Sequence, residues 1–217
     1  MLHVSETFGP TLQGEGLRVG ERTWFVRLAG CDSRCSWCDT KYALGEGSEM
    51  PEEAIADRLD LSVCRNVVLT GGNPVAQDAT RLVGILKSRG ARVCVETQGT
   101  LFHPWLGLVD TIAVSPKRED VQVDVLKQIL DLRRRGVEVF FKPVVFAGNA
   151  EDLRFAKRLV CCFPGVPFVI QLGTANGSVS LRDLKWLAEE VAGWKTQQDI
   201  RVLPQLHVLI WGARRGV

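Results

Sequence analysis

Three cysteines crowd into eight consecutive positions, in the run Cys31-Asp-Ser-Arg-Cys35-Ser-Trp-Cys38. Thiolates are soft ligands, and a cubane 4Fe–4S cluster takes one per iron. Spacings of three and then two residues let a compact loop wrap one face of such a cluster. No fourth cysteine follows at a short spacing, so the pattern leaves one iron open. A structural zinc site is the plain alternative, but closed zinc sites want four protein ligands. Asp39 is the nearest candidate for a fourth and sits too close in sequence to serve comfortably. Packing cysteines are a weaker rival still, because the loop is full of polar residues.

A loop of this kind has to be held by something rigid. Thr23–Ala29 reads as a strand feeding straight into it. Short apolar runs then alternate with longer amphipathic ones. Strands are expected at 67–70, 92–96, 111–114, 137–141, 167–171 and 200–206, and helices at 51–60, 78–89, 121–135, 151–160 and 180–194. Ser48 offers a cap to the first helix, while Gly90 and Gly136 stop the second and third. Strands rich in Val, Ile and Phe, without polar alternation, suit a parallel sheet covered by helices. Six or seven strands fall short of a closed eight-stranded barrel, so the expected fold is an incomplete α/β barrel. In such folds the loops at the carboxyl ends of the strands carry the chemistry. The cysteine loop, Gly71-Gly72, Glu96–Gly99 and Ser115-Pro116-Lys117 all follow strands and are expected to meet at one mouth.

The bulk numbers agree with one sizeable core. The chain has 217 residues and no linker-like stretch, and is read as one domain spanning 1–217. Lys+Arg number 27 against Asp+Glu 25, a balance that argues against a nucleic-acid-coating protein. No apolar run approaches the roughly 20 residues needed to cross a bilayer. The start, Met1–Glu6, lacks the features of a secretory signal, which makes the cytoplasm the expected compartment. Seven cysteines, an odd count with three of them clustered, disfavour a disulfide framework. Cys64, Cys94, Cys161 and Cys162 are expected as buried packing residues. Arg133–Arg135 closes a helix and is expected to complement its dipole.

Cys-x3-Cys-x-aromatic-Cys, with Trp37 as the aromatic, resembles the signature of the radical S-adenosylmethionine superfamily. Wider motifs are more specific: Glu6–Gly16, Phe25–Cys31, Trp37–Tyr42, Gly71–Pro74, Glu96–Thr100, Ser115–Lys117 and Gln205–His207 resemble the 7-carboxy-7-deazaguanine synthase family. The resemblance spans nearly the whole chain. It implies a radical S-adenosylmethionine core that converts 6-carboxy-5,6,7,8-tetrahydropterin to 7-carboxy-7-deazaguanine with loss of ammonia, in queuosine and 7-deazapurine biosynthesis. It also implies a 4Fe–4S cluster, S-adenosylmethionine and Mg2+, an electron donor such as flavodoxin or ferredoxin, and a homodimer. No direct contact with nucleic acid or membrane is expected.

The resemblance extends to individual residues. Cys31, Cys35 and Cys38 would hold the cluster, and Thr40 the Mg2+. Trp37, Gly72, Ser115, Pro116, Lys117 and Gln171 would contact S-adenosylmethionine. Leu12, Gln13, Gly14, Glu15, Arg27, Thr70, His207 and the terminal Val217 would contact substrate. Each has a plainer reading: a glycine loop for Leu12–Gly14, an internal salt bridge for Arg27, a solvated or strand-end charge for Glu15 and Glu96, a structural ring for His207. His3 and His103 take the structural reading outright. Asn73 departs from the pattern, which places a glutamate there, and brings no charge to an ammonium group. Two rivals remain: an activating enzyme that places a radical on a partner protein, and a non-catalytic iron–sulfur or zinc module. Neither has a use for Gln13–Gly16 together with Cys38–Thr40 and the downstream strand-end motifs.

Overall fold

The computed structural model describes residues 1–174 and 177–217. Its elements in chain order are β1 (Leu2–Leu12), β2 (Arg22–Leu28), β3 (Ser48–Met50), α1 (Glu52–Asp57), β4 (Asn66–Gly71), α2 (Thr80–Ser88), β5 (Arg92–Thr97) and β6 (Thr111–Val114). There follow α3 (Val123–Asp131), β7 (Glu138–Phe141), β8 (Val144–Val145), α4 (Ala150–Cys162), β9 (Phe168–Leu172), α5 (Leu181–Ala192), β10 (Ile200–Leu203) and α6 (Leu206–Trp211). One open sheet runs β10-β9-β7-β6-β5-β4-β2-β1-β3, with β8 against β9. The path from β2 to β10 is parallel throughout, while β1 joins β2 and β3 in antiparallel pairs. Helices cover its outer face, so the fold is the incomplete α/β barrel expected.

Side-chain alternation along the strands explains how a nearly all-apolar sheet builds a polar interior. On β4 Val67 and Leu69 join the main core with Leu82 and Leu86 of α2, while Val68 belongs to a separate inner cluster with Phe25 and Cys94. The same phase repeats around the barrel. Ile112 and Val114 pack outward and Ala113 inward; Val139 and Phe141 outward and Phe140 inward. Because the strand period is two, the residue two positions beyond each inner apolar one faces the same interior, one layer higher. Those residues are Arg27 above Phe25, Thr70 above Val68, Glu96 above Cys94, Ser115 above Ala113, Lys142 above Phe140 and Gln171 above Val169. An apolar floor therefore carries a polar layer at the carboxyl ends.

All seven strands expected from the sequence are present, but several boundaries differ. Ser48 lies in β3 and caps nothing; Pro51 precedes α1. The helical pattern over 121–135 resolves into α3 and a 3-10 turn, Leu132–Arg135, ended by Gly136 at φ +88°. β10 stops at Leu203 because Pro204 cannot extend the ladder, and the chain turns into α6. β1 and β3 escape a reading that looks for buried strands: β1 carries largely half-exposed side chains, and β3 is a three-residue edge strand with two of them exposed. Cys64 and Cys94 are buried as expected, whereas Cys161 and Cys162 are exposed at the end of α4. The apolar stripe of α4 runs through Phe155, Ala156, Leu159 and Val160, which turns Cys161 away from the core, and Cys162 is the helix's last residue. Among the described residues no helix is long and apolar enough to cross a membrane.

Candidate active site

The carboxyl ends of the strands enclose a cavity of about 240 Å3. Cys31, Cys35 and Cys38 line it, together with Trp37 and Thr40 of the same loop. β2 delivers this loop, and the backbone holds it from both sides: Gly30 N–H donates to Ala43 O at 2.8 Å and Asn73 N–H to Gly30 O at 2.8 Å. Burial pushes the Cys35 thiol above its ordinary value, as do Cys38 and Cys31 beside it, while Lys117 opposes the rise. Among the described residues no three His, Cys, Asp or Glu side chains converge on a single ion. Three thiols on one wall, near enough to repel but not aimed at one point, fit a cubane that takes one thiolate per iron. They do not fit a tetrahedral zinc site.

Two backbone approaches require glycine. A Cβ on Gly72 would fall 2.0 Å from Gly30 O and 2.8 Å from the Cys31 Cβ, so the β4 turn runs flush against the cysteine loop. A Cβ on Gly14 would fall 2.0 Å from the Nδ1 of His207, which places that imidazole directly on the Leu12–Gly14 turn. Leu206 N–H donates to Gly14 O at 2.9 Å and ties α6 to the same turn. Residues about 190 positions apart thus form one corner of the cavity, and Val217 lines it too.

Next to the cysteines, Lys117 donates to the Ser115 hydroxyl at 2.9 Å and lies 4.8 Å from the centre of the Trp37 ring. Burial holds its ammonium below the ordinary lysine value, with the Cys35 charge acting in the other direction. Pro116 is buried behind this wall and sets the turn; it does not line the cavity. Gln171 is not in the wall either. It is 1% exposed, its amide donates to Leu203 O at 3.0 Å, and its Oε1 has no partner among the described residues.

Other residues of the lining are charged. Arg27 donates through Nε to Glu6 at 2.8 Å, and its guanidinium carbon lies 5.7 Å from the ring centres of both Phe8 and Tyr42. Both the salt bridge and the cavity position are therefore real. Only Nε is engaged among the described residues, which leaves the two Nη groups to take a carboxylate. Thr40 donates to Asp39 at 2.7 Å, setting a hydroxyl and a carboxylate side by side, the hard oxygens that Mg2+ prefers.

Lys142 was not singled out by the sequence reading, yet it organises this part of the lining. It is 4% exposed, contacts the Glu15 carboxylate directly and reaches Glu96 at 3.5 Å. Glu96 also accepts from Gln13 at 3.2 Å and from Thr70 at 2.9 Å. Glu15 accepts from Gln205 at 2.7 Å. Burial alone would raise the Glu15 carboxyl, but the Lys142 and His207 charges and the Lys142 and Gln205 hydrogen bonds bring it down to about 2. Burial would likewise depress Lys142, and the two carboxylates raise it above the ordinary lysine value instead. A signal for Lys142 was present in the sequence: it stands two positions beyond Phe140, in the same phase as Arg27, Thr70 and Glu96 on their strands.

Asn73 lies outside the cavity wall. It is fully buried, donates to Asp32 at 2.8 Å and to Thr100 at 3.2 Å, and accepts from Thr97 at 2.9 Å. The departure at this position is a structural one.

A cysteine loop at the mouth of an open parallel barrel, walled by a glycine turn and a buried lysine, defines a class. Residues 26–136 match the radical SAM superfamily, and the chain belongs to it. Over 99% of its length it is 37% identical to the 7-carboxy-7-deazaguanine synthase of Bacillus cereus and 36% identical to that of Bacillus subtilis, covering 98% of each. It therefore belongs to the 7-carboxy-7-deazaguanine synthase family. The fold matches the crystal structure of QueE from Escherichia coli with a TM-score of 0.71, at 23% identity over 95% of this chain and 94% of that one. Streptococcus suis SuiB, solved with its precursor peptide, shares the fold at a TM-score of 0.62 and 15% identity, over 79% of this chain and 46% of that one.

Proposed function

We propose that this chain is a radical S-adenosylmethionine lyase that contracts 6-carboxy-5,6,7,8-tetrahydropterin to 7-carboxy-7-deazaguanine with loss of ammonia. The observation that carries the reading is one cavity lined both by the cysteine loop, Gly72, Ser115 and Lys117 and by Gln13–Glu15, Arg27, Thr70 and His207.

Cys31, Cys35 and Cys38 would hold the 4Fe–4S cluster, which when reduced supplies the electron that cleaves S-adenosylmethionine to a 5′-deoxyadenosyl radical. Gly72 gives the methionine end room to approach the loop, and Lys117 and Ser115 present a cation and a hydroxyl to carboxylate or ribose oxygens. Arg27 offers its free Nη pair to the substrate carboxylate, which orients the carbon that carries it. Glu15, kept ionised by Lys142, and Glu96 beside it accept N–H bonds from the guanidine-like edge of the pterin. The apolar floor below them keeps other hydrogen donors away from a carbon radical. Thr40, beside Asp39, would share a Mg2+ with substrate oxygens. The same reading includes a homodimer, a flavodoxin- or ferredoxin-type electron donor and a cytoplasmic setting, all of which rest on the family resemblance.

The test is a reaction under anaerobic conditions. Reconstituted protein is given dithionite, S-adenosylmethionine, Mg2+ and 6-carboxytetrahydropterin, and the products are identified by mass spectrometry. The reading requires a deazaguanine carboxylate. Methionine and 5′-deoxyadenosine without it would point to another substrate, and no cleavage by a fully loaded cluster would overturn radical chemistry altogether.

A further inference from the structure

Buried Asn73 and Gln98 and the more exposed Asp32 and Thr100 form a polar network beside the cysteine loop that the mechanism above does not use. Its centre is the Asp32 carboxylate, next in sequence to Cys31. Three neutral donors converge on it: Asn73 at 2.8 Å and Gln98 at 2.7 Å on Oδ1, and Thr100 at 2.5 Å on Oδ2. They come from the ends of two adjacent parallel strands, β4 and β5, so the anion straps the loop to both. No cation takes part among the described residues.

Gln98 has a second contact. Its Nε2 lies 3.5 Å from the Cys31 Sγ, within reach of a hydrogen bond to sulfur, and 3.4 Å from the Ser33 hydroxyl. The residue is 6% exposed, and Asp32 fixes the direction in which its amide points. An amide carries two donor hydrogens, enough to serve the carboxylate and the sulfur together. Hydrogen bonds to cluster sulfurs draw off negative charge and favour the reduced state.

Resting on the cluster assignment above, we propose that Gln98, oriented by Asp32, is a positioning residue that donates to the Cys31 sulfur and raises the reduction potential of the cluster. The Asp32–Asn73–Thr100 network is the scaffold that aims it.

The experiment compares wild type with Gln98→Leu and the isosteric Gln98→Glu. Each is reconstituted anaerobically, its iron and sulfide are counted, and the cluster is titrated against redox mediators by electron paramagnetic resonance without substrate. One lost hydrogen bond lowers the ratio of reduced to oxidised cluster at fixed potential by about threefold. At 59 mV per decade that is a shift of roughly 28 mV to more negative potential. Gln98→Glu sets a second carboxylate against that of Asp32, so its side chain is driven from the sulfur and the potential shifts the same way. Full loading at an unchanged potential in either variant overturns the proposal. So does a folded pair of variants that cannot load at all, which would make Gln98 a loop-assembly residue instead. A wild type that forms no 4Fe–4S signal would sink the underlying reading, a separate outcome.

Discussion

Lys142→Met removes the cation that pairs with Glu15 and Glu96 in the polar layer while keeping an apolar stem. The ammonium is 4% exposed, touches Glu15 and lies 3.5 Å from Glu96, so both carboxylates lose their partner in a nearly dry site. The size of the effect follows from Glu15, whose carboxyl stands at about 2 against an ordinary 4.5. At about 1.4 kcal/mol per unit, that depression represents roughly 3 kcal/mol of preference for the ionised form. Breaking a buried ion pair by deleting one partner typically costs about 3–5 kcal/mol, so the two routes agree. For a chain of this size the loss corresponds to a Tm lower by roughly 6–12 °C at neutral pH.

The pH dependence gives the sharper check. A folded-state carboxyl depressed below its unfolded value contributes stability above about pH 4.5, which is lost as pH falls toward about 2. Wild type therefore loses stability over that window. The variant loses less, because Glu15 without Lys142 keeps only His207 and Gln205 against its burial. Thermal unfolding of matched samples at equal cluster content, followed by circular dichroism from pH 7 down to pH 3, should show the gap narrowing. A gap of constant size, or no gap at pH 7, would refute the reasoning. Adding Glu15→Gln to Lys142→Met should recover part of the loss, since the orphaned charge goes with it.

Arg27→Lys keeps the charge but gives up the planar pair of Nη donors; substrate KM should rise about 10- to 100-fold with cluster content unchanged, measured by steady-state kinetics and iron assay. Gly14→Ala sets a methyl 2.0 Å from the His207 Nδ1, so the ring must leave the substrate corner. Turnover should fall at least about tenfold, with a modest loss of about 1–3 kcal/mol in stability by chemical unfolding. Gly72→Ala drives a methyl into Gly30 O and the Cys31 Cβ, and should show as low iron per chain after reconstitution, with the fold retained by circular dichroism.

What the sequence made legible divides along physical lines. Motifs in which backbone and side chain are both constrained, such as the cysteine loop and Gly71-Gly72, could be placed by spacing and strand position alone. So could the seven parallel strands, since doubly covered strands read as continuous apolar runs. Contacts across the barrel could not. Nothing local in the chain joins Gly14 to His207 or Lys142 to Glu15, because those pairings exist only once the sheet curls. Pro116 and Gln171 show the converse: a motif can be matched while one residue turns its side chain into the scaffold. β1 and the short edge strand β3 give no such run, because half-exposed side chains on the first and exposed ones on the second blur the apolar signal.

The layering of the strands accounts for where the chemistry sits and for the substitution at position 73. Inner positions alternate between an apolar residue below and a polar one above, so every strand adds one functional group at the same height. Asn73 lies beyond that layer, where β4 has already turned, and its surroundings are the Asp32 carboxylate and the hydroxyls of Thr97 and Thr100. A glutamate there would set a second carboxylate, itself buried, within hydrogen-bond reach of Asp32, which disfavours keeping both ionised. The neutral amide avoids that conflict and donates to Asp32 instead. With Asn73 occupied in this way, the positive groups facing the cavity are Lys117 near the cysteines and Arg27 and Lys142 elsewhere in the lining, each with an anionic or thiol neighbour. Asp39 accepts from Gln205 at 3.3 Å and acts on both Lys117 and Lys142, so the charges of the cysteine loop and of the Lys142 cluster form one field across the cavity.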